Sequence, residues 1–190
     1  MLFRSMRDLS KYKELRVQAS ELYSKDEISL NVNKDEFLVA LEKAFYFNMI
    51  ISYAQGMHLL SLASAEYKYD LHLGDIAKIW RGGCIIRSEF LNDIFNAYQK
   101  DPQLKHLLLD GNVEELVKAV VPGARTVLSA TIAAGVAAPA YASSLSYFDA
   151  FRSKRMPSNL TQAQRDYFGA HTYELIGKEG VFHTQWTAKS

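Results

Sequence analysis

The sequence predicts an all-α protein, in which long central helices pack in a multi-helix domain and an extended C-terminal tail follows. Three observations lead to this prediction. Residues 33–68 keep a helical pattern over many turns without a proline. Residues 126–148 form a second uncharged run, rich in alanine and serine, whose small side chains let helices approach closely. Alternating apolar and polar segments bounded by hairpin turns, which are typical of β-strands, are almost absent.

The first long helix is predicted over residues 33–68, and Asn33 and Glu36 have the spacing of a capping box at its start. At a rise of 1.5 Å per residue, such a helix would be roughly 50 Å long. Residues 44–65 carry no formal charge, which leaves a membrane span open as an alternative. Polar residues spread around the helix favour instead a helix surrounded by other helices. These residues are Asn48, Ser52, Gln55, His58, Ser61 and Ser64.

The second uncharged run contains Pro139, and proline disrupts a helix interior but suits a first helical turn. We therefore expect two helices, at roughly residues 122–136 and 139–155, instead of one membrane span. Shorter helices are expected at residues 73–81, 85–100, 112–120 and 161–168. Because the long helices are apolar on several faces, we expect them to need more neighbours than this chain supplies. Another subunit or a further part of the parent protein would cover them, and oligomerisation is the simpler expectation.

The charge balance and the cysteine content exclude some partners. With 22 basic and 21 acidic residues, the chain has no broad field that would attract nucleic acid or an anionic membrane. Cys84 is the only cysteine, so an intrachain disulfide is impossible and a reducing compartment is favoured. Residues 1–16 are interrupted by charges and resemble neither a secretory signal nor an anchor. We expect a cytoplasmic protein.

No complete active site follows from short motifs. No two of the five histidines lie three or four residues apart, and no Cys/His cluster is present, so we expect no metal ion. The glycine fingerprint of dinucleotide-binding domains, the lysine loop of P-loop NTPases and the nucleophile elbow of hydrolases are also missing. We therefore assign no catalytic residue to this chain.

Arg165 and His171 form a candidate anion site near the C-terminus. On an unbroken helix, six positions would turn the two side chains about 240° apart. Gly169 lies between them and is a natural helix terminator, so a turn there can bring the imidazole back beside the guanidinium. Such a pair suits a phosphate or carboxylate, because arginine offers a bidentate fork. The alternative is an interface salt bridge beside a structural histidine.

For two further segments, around Arg16 and at residues 180–186, the residue pattern alone does not indicate a binding role. Arg16, in "KELRVQAS", is a lone arginine on an amphipathic helix, and the pattern alone indicates a solvated surface residue. The segment "GVFHTQW", residues 180–186, carries aromatic side chains that would cost roughly 25 cal/mol per Å² of apolar area if left in water. We expect this tail to bury itself or to dock onto a partner.

Several blocks of the chain, in the same order, resemble the 6-phosphogluconate dehydrogenase family. They are "KELRVQAS" at 13–20, "SYAQGM" at 52–57, "IAKIWRGGCIIRS" at 76–88, "SSLSYFDAFRSKRMPSNLTQAQRDYFGAHTYE" at 143–174 and "GVFHTQW" at 180–186. The resemblance covers almost the whole chain but only the latter part of such an enzyme. It implies that residues 1–175 are the second part of the family's all-helical domain and that residues 176–190 are its C-terminal tail.

The resemblance also implies what is missing. The Rossmann domain that binds NADP and the segments with the family's catalytic lysine and glutamate lie upstream of the matching part. The implied reaction of the complete enzyme is the NADP-dependent oxidative decarboxylation of 6-phosphogluconate to ribulose 5-phosphate, in the pentose phosphate pathway. The chain alone is therefore expected to be inactive. A helical assembly domain without activity of its own remains the alternative.

Three residues carry over from the family. Arg16 and Arg165 match arginines that contact the substrate phosphate, and His171 matches a histidine that contacts the substrate. In the family, the counterparts of Arg165 and His171 reach the active site of the neighbouring subunit, and the tail threads through the partner. The resemblance thus implies a homodimer in which the aromatic-rich end completes a pocket across the interface.

Overall fold

The computed structural model describes residues 7–23 and 29–186, and in these residues the regular structure is helical. It comprises seven α-helices in this part of the chain: α1 (Lys13–Tyr23), α2 (Lys34–Tyr67), α3 (Leu73–Arg81), α4 (Phe90–Lys100), α5 (Gly111–Ala133), α6 (Pro139–Phe151) and α7 (Asn159–Gly169). Two short 3-10 helices, Leu9–Lys11 and Leu107–Leu109, accompany them. The extended pairing described is an isolated antiparallel bridge between Tyr173 and Phe182. The predicted all-α class is confirmed.

The chain divides into two compact units. The first extends through Phe148, and the second starts at Asp149. The second unit contains α7 and the tail that was predicted from residue 176 onward.

Helix α2 begins where the sequence predicts. The Asn33 side chain accepts hydrogen bonds from the backbone N–H groups of Asp35 and Glu36, at 3.0 and 3.2 Å, and so satisfies two donors of the first turn. The helix runs for 34 residues and ends at Tyr67, followed by Lys68 in a left-handed conformation with φ of 56°. The predicted long helix is therefore confirmed at both ends.

Helix α5 corrects the prediction that one helix ends near residue 120 and another begins near residue 122. It is continuous over 23 residues and contains Pro122 in its interior. Its N-cap is Asp110, whose carboxylate accepts from the N–H groups of Asn112 and Val113. A proline inside a helix costs about 3 kcal/mol or more, so packing must outweigh this cost.

That packing is a close crossing between α2 and α5 at Gly123. A Cβ atom added to Gly123 would lie 2.6 Å from Lys43 Cβ and 2.8 Å from the Ala40 carbonyl oxygen. Only a residue without a side chain allows this approach. The crossing therefore explains both the glycine and the persistence of the helix past Pro122.

The other predicted helices are present at the expected places, with shifted ends. Helix α3 is as predicted, whereas α4 starts at Phe90 instead of residue 85, and Ser88 Oγ accepts from the Phe90 N–H there. Helix α6 ends at Phe151, four residues before the predicted end at 155. Helix α7 is longer than predicted by two residues at its start and one at its end.

The core of the first unit lies where one face of α2 meets α4, α5 and α6. Fully or nearly fully buried apolar residues include Phe47, Ile50, Ile51, Met57, Phe90, Leu91, Ile94, Leu107 and Val113. Large apolar side chains of α2 that remain exposed include Leu38, Leu41, Phe45, Leu59 and Leu62. We call these five residues the α2 stripe. Within residues 7–23 and 29–186, the expected surrounding of α2 by helices is therefore incomplete.

Two helices, α2 and α5, are long and apolar enough to cross a membrane when judged by length and composition alone. The same two helices pack against each other and contribute much of the core of the first unit.

Candidate functional site

The chain reverses direction directly after α7. The helix ends at Gly169, as predicted, but the residue that turns the chain is Ala170, with a left-handed φ of 50° and its N–H bonded to the Asp166 carbonyl oxygen at 2.9 Å. The predicted helix end at Gly169 is therefore confirmed, and the left-handed residue directly follows it. The absence of a side chain at Gly169 leaves room for the His171 ring, because a Cβ added there would lie 3.3 Å from both Cδ2 and Nε2 of His171. The turn folds the imidazole back over the last helical turn.

Arg165 and His171 are both exposed, and Gln162 connects the segments that carry them. The Arg165 guanidinium donates from Nη1 to Gln162 Oε1 at 3.3 Å. At the other end of the same amide, Gln162 Nε2 donates to the carbonyl oxygen of Thr172, the residue after His171. The turn therefore brings the histidine segment back to the helix, as expected, and the amide of Gln162 lies between it and the arginine.

A buried carboxylate that sequence reasoning missed holds this region together. Asp166 is fully buried, and it accepts four hydrogen bonds. Its donors are Thr172 N–H at 3.1 Å, His183 Nδ1 at 2.9 Å, Thr184 N–H at 2.9 Å and Trp186 Nε1 at 2.9 Å. Because a carboxylate only accepts, His183 carries its proton on Nδ1. One side chain thus ties the helix to the loop after it and to the tail.

The charge state of Asp166 follows from these contacts. Burial by itself raises the pKa of Asp166, but the hydrogen bonds from the Thr184 backbone and from the His183 and Trp186 side chains outweigh it and lower the pKa to about 2. Asp166 is therefore an ionised structural acceptor at neutral pH. Its signal in the sequence was weak, since its donors follow at distances of 6 to 20 residues.

The tail packs on its own unit. Tyr173 and Phe182 exchange two backbone hydrogen bonds, of 2.8 and 2.7 Å, and their rings stack with centroids 6.3 Å apart. The Tyr173 hydroxyl bonds Thr184 Oγ1 at 2.6 Å, and the Trp186 ring meets Tyr167 edge to face. The tail is therefore buried against its own unit only in part: Phe182 and Thr184 are half-buried, whereas Val181 is exposed and Trp186 is 42% exposed, with surface left for a further contact.

A cavity of about 880 Å³ lies beside this turn, within the second unit. It is lined by His171 and Gln162 together with residues of the tail, among them Tyr173, Thr184 and Trp186. Glu174 also lines it and adds a negative charge to the wall. The volume suits a small polar ligand, because ligand sites commonly measure about 300–1,000 Å³.

Arg16 lies in the first unit, on the exposed helix α1. None of the residues of α1 is buried, and Leu15, Leu22 and Tyr23 are exposed on the same helix. The three predicted substrate-binding residues are thus divided between the two units, with Arg165 and His171 in the second.

Comparisons with known proteins address the family directly. The family profile described as "6-phosphogluconate dehydrogenase, C-terminal domain" matches residues 4–186, which is nearly the entire chain. The chain belongs to the 6-phosphogluconate dehydrogenase family.

Two bacterial relatives in this family are similar over the same extent. The decarboxylating 6-phosphogluconate dehydrogenase of Lactococcus lactis subsp. lactis (strain IL1403) is 47% identical over 180 residues. The NADP(+)-dependent, decarboxylating 6-phosphogluconate dehydrogenase of Bacillus subtilis (strain 168) is 48% identical over 181 residues. Each match covers 95% of this chain, but only 38% and 39% of the respective relatives. The chain therefore spans about two fifths of the length of these 6-phosphogluconate dehydrogenases.

A solved structure agrees in fold. The 6-phosphogluconate dehydrogenase of Plasmodium falciparum is 43% identical and superposes with a TM-score of 0.88, over 95% of this chain and 39% of that one. It is described in its apo form, in complex with its cofactor NADP+ and in complex with its substrate 6-phosphogluconate.

This member of the 6-phosphogluconate dehydrogenase family also brings together two histidines that are far apart in sequence. His106 is buried, its Nδ1 accepts from Leu108 N–H at 3.2 Å, and its Nε2 lies 2.9 Å from the Tyr147 hydroxyl. The His58 ring lies 4.9 Å away, and burial together with this neighbour lowers the pKa of His106 to about 4. Among the described residues, no group of three His, Cys, Asp or Glu side chains could hold a metal ion.

Proposed function

We propose that this chain is the substrate-binding and dimerising part of an NADP-dependent, decarboxylating 6-phosphogluconate dehydrogenase. The proposal rests on the family, on the names of the Bacillus and Plasmodium relatives, and on the site after α7. One observation carries it: Gln162 bonds both the Arg165 guanidinium and the carbonyl oxygen of Thr172, the residue after His171, and Gln162 and His171 line a cavity that a sugar phosphate would fit.

The substrate phosphate would be held by charge and by hydrogen bonds. Arg165 offers a planar fork of N–H donors to the phosphate oxygens, and His171 offers a further donor or acceptor. Arg16 would contribute a second guanidinium, as the family resemblance implies. Binding the phosphate, which lies away from the reacting carbons, anchors the substrate so that C3 is oriented for oxidation.

The coenzyme does not fit the residues described here. NADP binding in this class needs a parallel βαβ unit with a glycine-rich turn at a helix N-terminus. The described residues 7–23 and 29–186 form no such unit. NADP, the hydride transfer and the subsequent decarboxylation therefore belong to other parts of the complete enzyme, and no catalytic step is assigned to this chain.

The partner proposed for assembly is a second copy of the same chain. The exposed α2 stripe would cost free energy in water, at about 25 cal/mol per Å² of apolar area, and a dimer interface would cover it. With a net charge of +1, the chain offers no general attraction for nucleic acid or for an anionic membrane. We place the protein in the cytoplasm, without a membrane or nucleic acid as partner.

Replacing Arg165 with alanine tests the site. We expect Arg165→Ala to weaken binding of 6-phosphogluconate by about 10- to 100-fold, because a hydrogen bond to a charged group contributes about 1.5–3 kcal/mol. Isothermal titration of the 190-residue chain measures this affinity. Arg155→Ala, the same change at another exposed arginine of the second unit, is the matched control and should leave the affinity unchanged.

The same variant can be tested in turnover. In a chimera in which this chain replaces the corresponding C-terminal part of the Bacillus subtilis enzyme, Arg165→Ala should raise the KM for 6-phosphogluconate. An unchanged KM would contradict the assignment of Arg165. The isolated chain should not reduce NADP with 6-phosphogluconate. Clear turnover would contradict the proposal that NADP binding and the catalytic steps belong to other parts of the complete enzyme.

A further inference from the structure

The backbone N–H and C=O groups of Thr172, the residue after His171, hold the loop that carries His171. Thr172 donates its N–H to Asp166 Oδ1 at 3.1 Å, and its carbonyl oxygen accepts from Gln162 Nε2. Gln162 and Asp166 are four residues apart on α7, so their side chains lie on the same face of the helix. We call this arrangement of Gln162, Asp166 and the Thr172 backbone the Thr172 clip.

The clip holds a backbone that would not persist unaided. Ala170 has φ of 50° and Thr172 has φ of 54°, so both neighbours of His171 are in the left-handed region. For a β-branched residue such as threonine this conformation is a genuine outlier and is strained. Strain of this kind persists only where surrounding contacts enforce it, and it concentrates at ligand-binding positions.

Gln162 also reaches the other predicted phosphate ligand. Its Oε1 accepts from Arg165 Nη1 at 3.3 Å while its Nε2 donates to the Thr172 carbonyl. The orientation of the amide is determined by these partners, because the reverse would face two donors together at Arg165 and two acceptors together at Thr172. The Gln162 side chain is therefore hydrogen-bonded both to the Arg165 guanidinium and to the loop that carries His171.

We propose that Gln162 is a positioning residue for phosphate binding, supported by Asp166. It does not need to touch the phosphate. It orients the Arg165 fork and, through Thr172, the loop that presents His171, so that both groups are in place before the ligand arrives. This inference rests on the proposed function, since it assumes that Arg165 and His171 bind the phosphate of 6-phosphogluconate.

Preorganisation explains why such a residue matters. A free arginine side chain loses rotamer entropy when it is fixed in one orientation. If the side chain and loop are already held in the free protein, binding does not bear this cost again. Without Gln162, the ligand would have to order both groups itself.

The test replaces Gln162 with methionine, which keeps the length of the side chain and removes both hydrogen bonds. Gln162 is only partly buried, so the variant should keep its fold and its unfolding midpoint. Gln164→Met is the matched control, because it makes the same change at an exposed position of the same helix. Asp166 is left unchanged, since it is fully buried and supports the tail as well.

Three measurements on the 190-residue chain are compared. They are the affinity for 6-phosphogluconate, the shift of the His171 ring resonances on titration with it, and hydrogen exchange of the Thr172 N–H. For Gln162→Met we expect about tenfold weaker binding, equivalent to one misoriented hydrogen bond to a charged group. We also expect smaller His171 shifts at equal ligand concentration and about tenfold faster exchange at Thr172, because its carbonyl is released. Gln164→Met should match the parent chain in all three.

The outcomes separate this inference from the proposed function. If Arg165→Ala abolishes binding but Gln162→Met binds as tightly as the parent, the positioning role is overturned and the proposed function stands, even if Thr172 exchanges faster. If the parent chain and Arg165→Ala are equally unable to bind 6-phosphogluconate, the proposed function fails and takes the positioning role with it. Weaker binding in Gln162→Met with an unchanged unfolding midpoint supports the inference.

Discussion

At the scale of single residues, Asp166 organises the chain end. It collects donors from the loop after α7 and from three residues of the tail, and these bonds keep it ionised with its pKa at about 2. A single carboxylate can join segments in this way because a charged acceptor forms stronger hydrogen bonds than a neutral one. The wall of the cavity beside His171 therefore depends on a residue that does not line it.

Gly169 permits the position of the His171 ring. Gly169→Ala would place a methyl group 3.3 Å from the imidazole, so the ring must move by a few tenths of an ångström. Alanine also favours a helix over glycine by about 1 kcal/mol. We therefore expect unchanged or higher thermal stability together with weaker 6-phosphogluconate binding. Calorimetric unfolding and titration of the same sample measure the two effects.

Gly56 offers the matched control for this variant. It lies inside α2, and a Cβ added there meets no heavy atom within 4 Å. Gly56→Ala should raise stability in the same way without affecting binding. Equal affinity in Gly169→Ala and the parent chain would mean that the placement of the His171 ring is unimportant for the ligand.

Residues of this region differ in how far their roles could be predicted. The turn after Gly169 was predictable because helix ends depend on local sequence. The roles of Asp166 and Gln162 were not, because their partners are brought near by the turn and by the tail. The family resemblance pointed to Arg165 and His171, but neither pattern nor resemblance indicated the amide between them.

At the scale of elements, α2 and α5 show which helix boundaries are local. Asn33 caps α2 through its own side chain, so the start of α2 could be predicted from three adjacent residues. The predicted boundary between residues 120 and 122 does not exist, because the contact of Gly123 with Lys43 and Ala40 that favours a continuous helix is tertiary. Local sequence therefore predicts the capped ends of helices well. It fails where packing between helices that are far apart in the sequence determines whether a helix continues.

Helix α2 has both buried and exposed apolar residues, and the exposed ones lead to a prediction about assembly. One side is buried in the core, while the α2 stripe is exposed; within it, Leu59 is 67% exposed. Leu59→Glu would place a charge in the proposed dimer interface without disturbing the core. We expect the parent chain to sediment as a dimer and Leu59→Glu to sediment as a monomer, measured by analytical ultracentrifugation over a range of concentrations.

Ala65→Glu is the control for this experiment, because it adds the same charge at an exposed position of α2 outside the stripe. It should remain dimeric. If Leu59→Glu and the parent have the same mass in solution, the stripe does not hold two copies together.

At the scale of the whole molecule, the two units should respond to acid at different pH values. In the first unit, the pKa of His106 is lowered from its ordinary value of 6.5 to about 4. The unfolded chain then binds a proton more readily, so stability falls as pH drops from about 6.5 to about 4. In the second unit, the pKa of Asp166 is lowered from 3.8 to about 2, so its stabilising effect is lost as pH drops from about 4 to about 2.

The chain contains one tryptophan in each unit, which makes this prediction measurable. Trp80 reports on the first unit and Trp186 on the second. Urea unfolding followed by fluorescence in Trp186→Phe and Trp80→Phe variants, at a series of pH values, gives the two stabilities separately. His106→Gln should flatten the dependence of the first unit between pH 6.5 and 4. His72→Gln, at an exposed histidine, should not. Parallel loss in both units across the same pH range would contradict the assignment.

The left-handed threonine after His171 has a consequence for any effort to make this protein more robust. Glycine or asparagine would adopt that geometry with less penalty, so selection for heat resistance alone would favour replacing Thr172. Glycine would also give the loop that presents the imidazole more conformational freedom, whereas asparagine would keep it held, because both hydrogen bonds of the Thr172 clip come from the backbone of residue 172. A screen for heat resistance alone would not distinguish these two replacements, although only glycine would weaken the placement of His171.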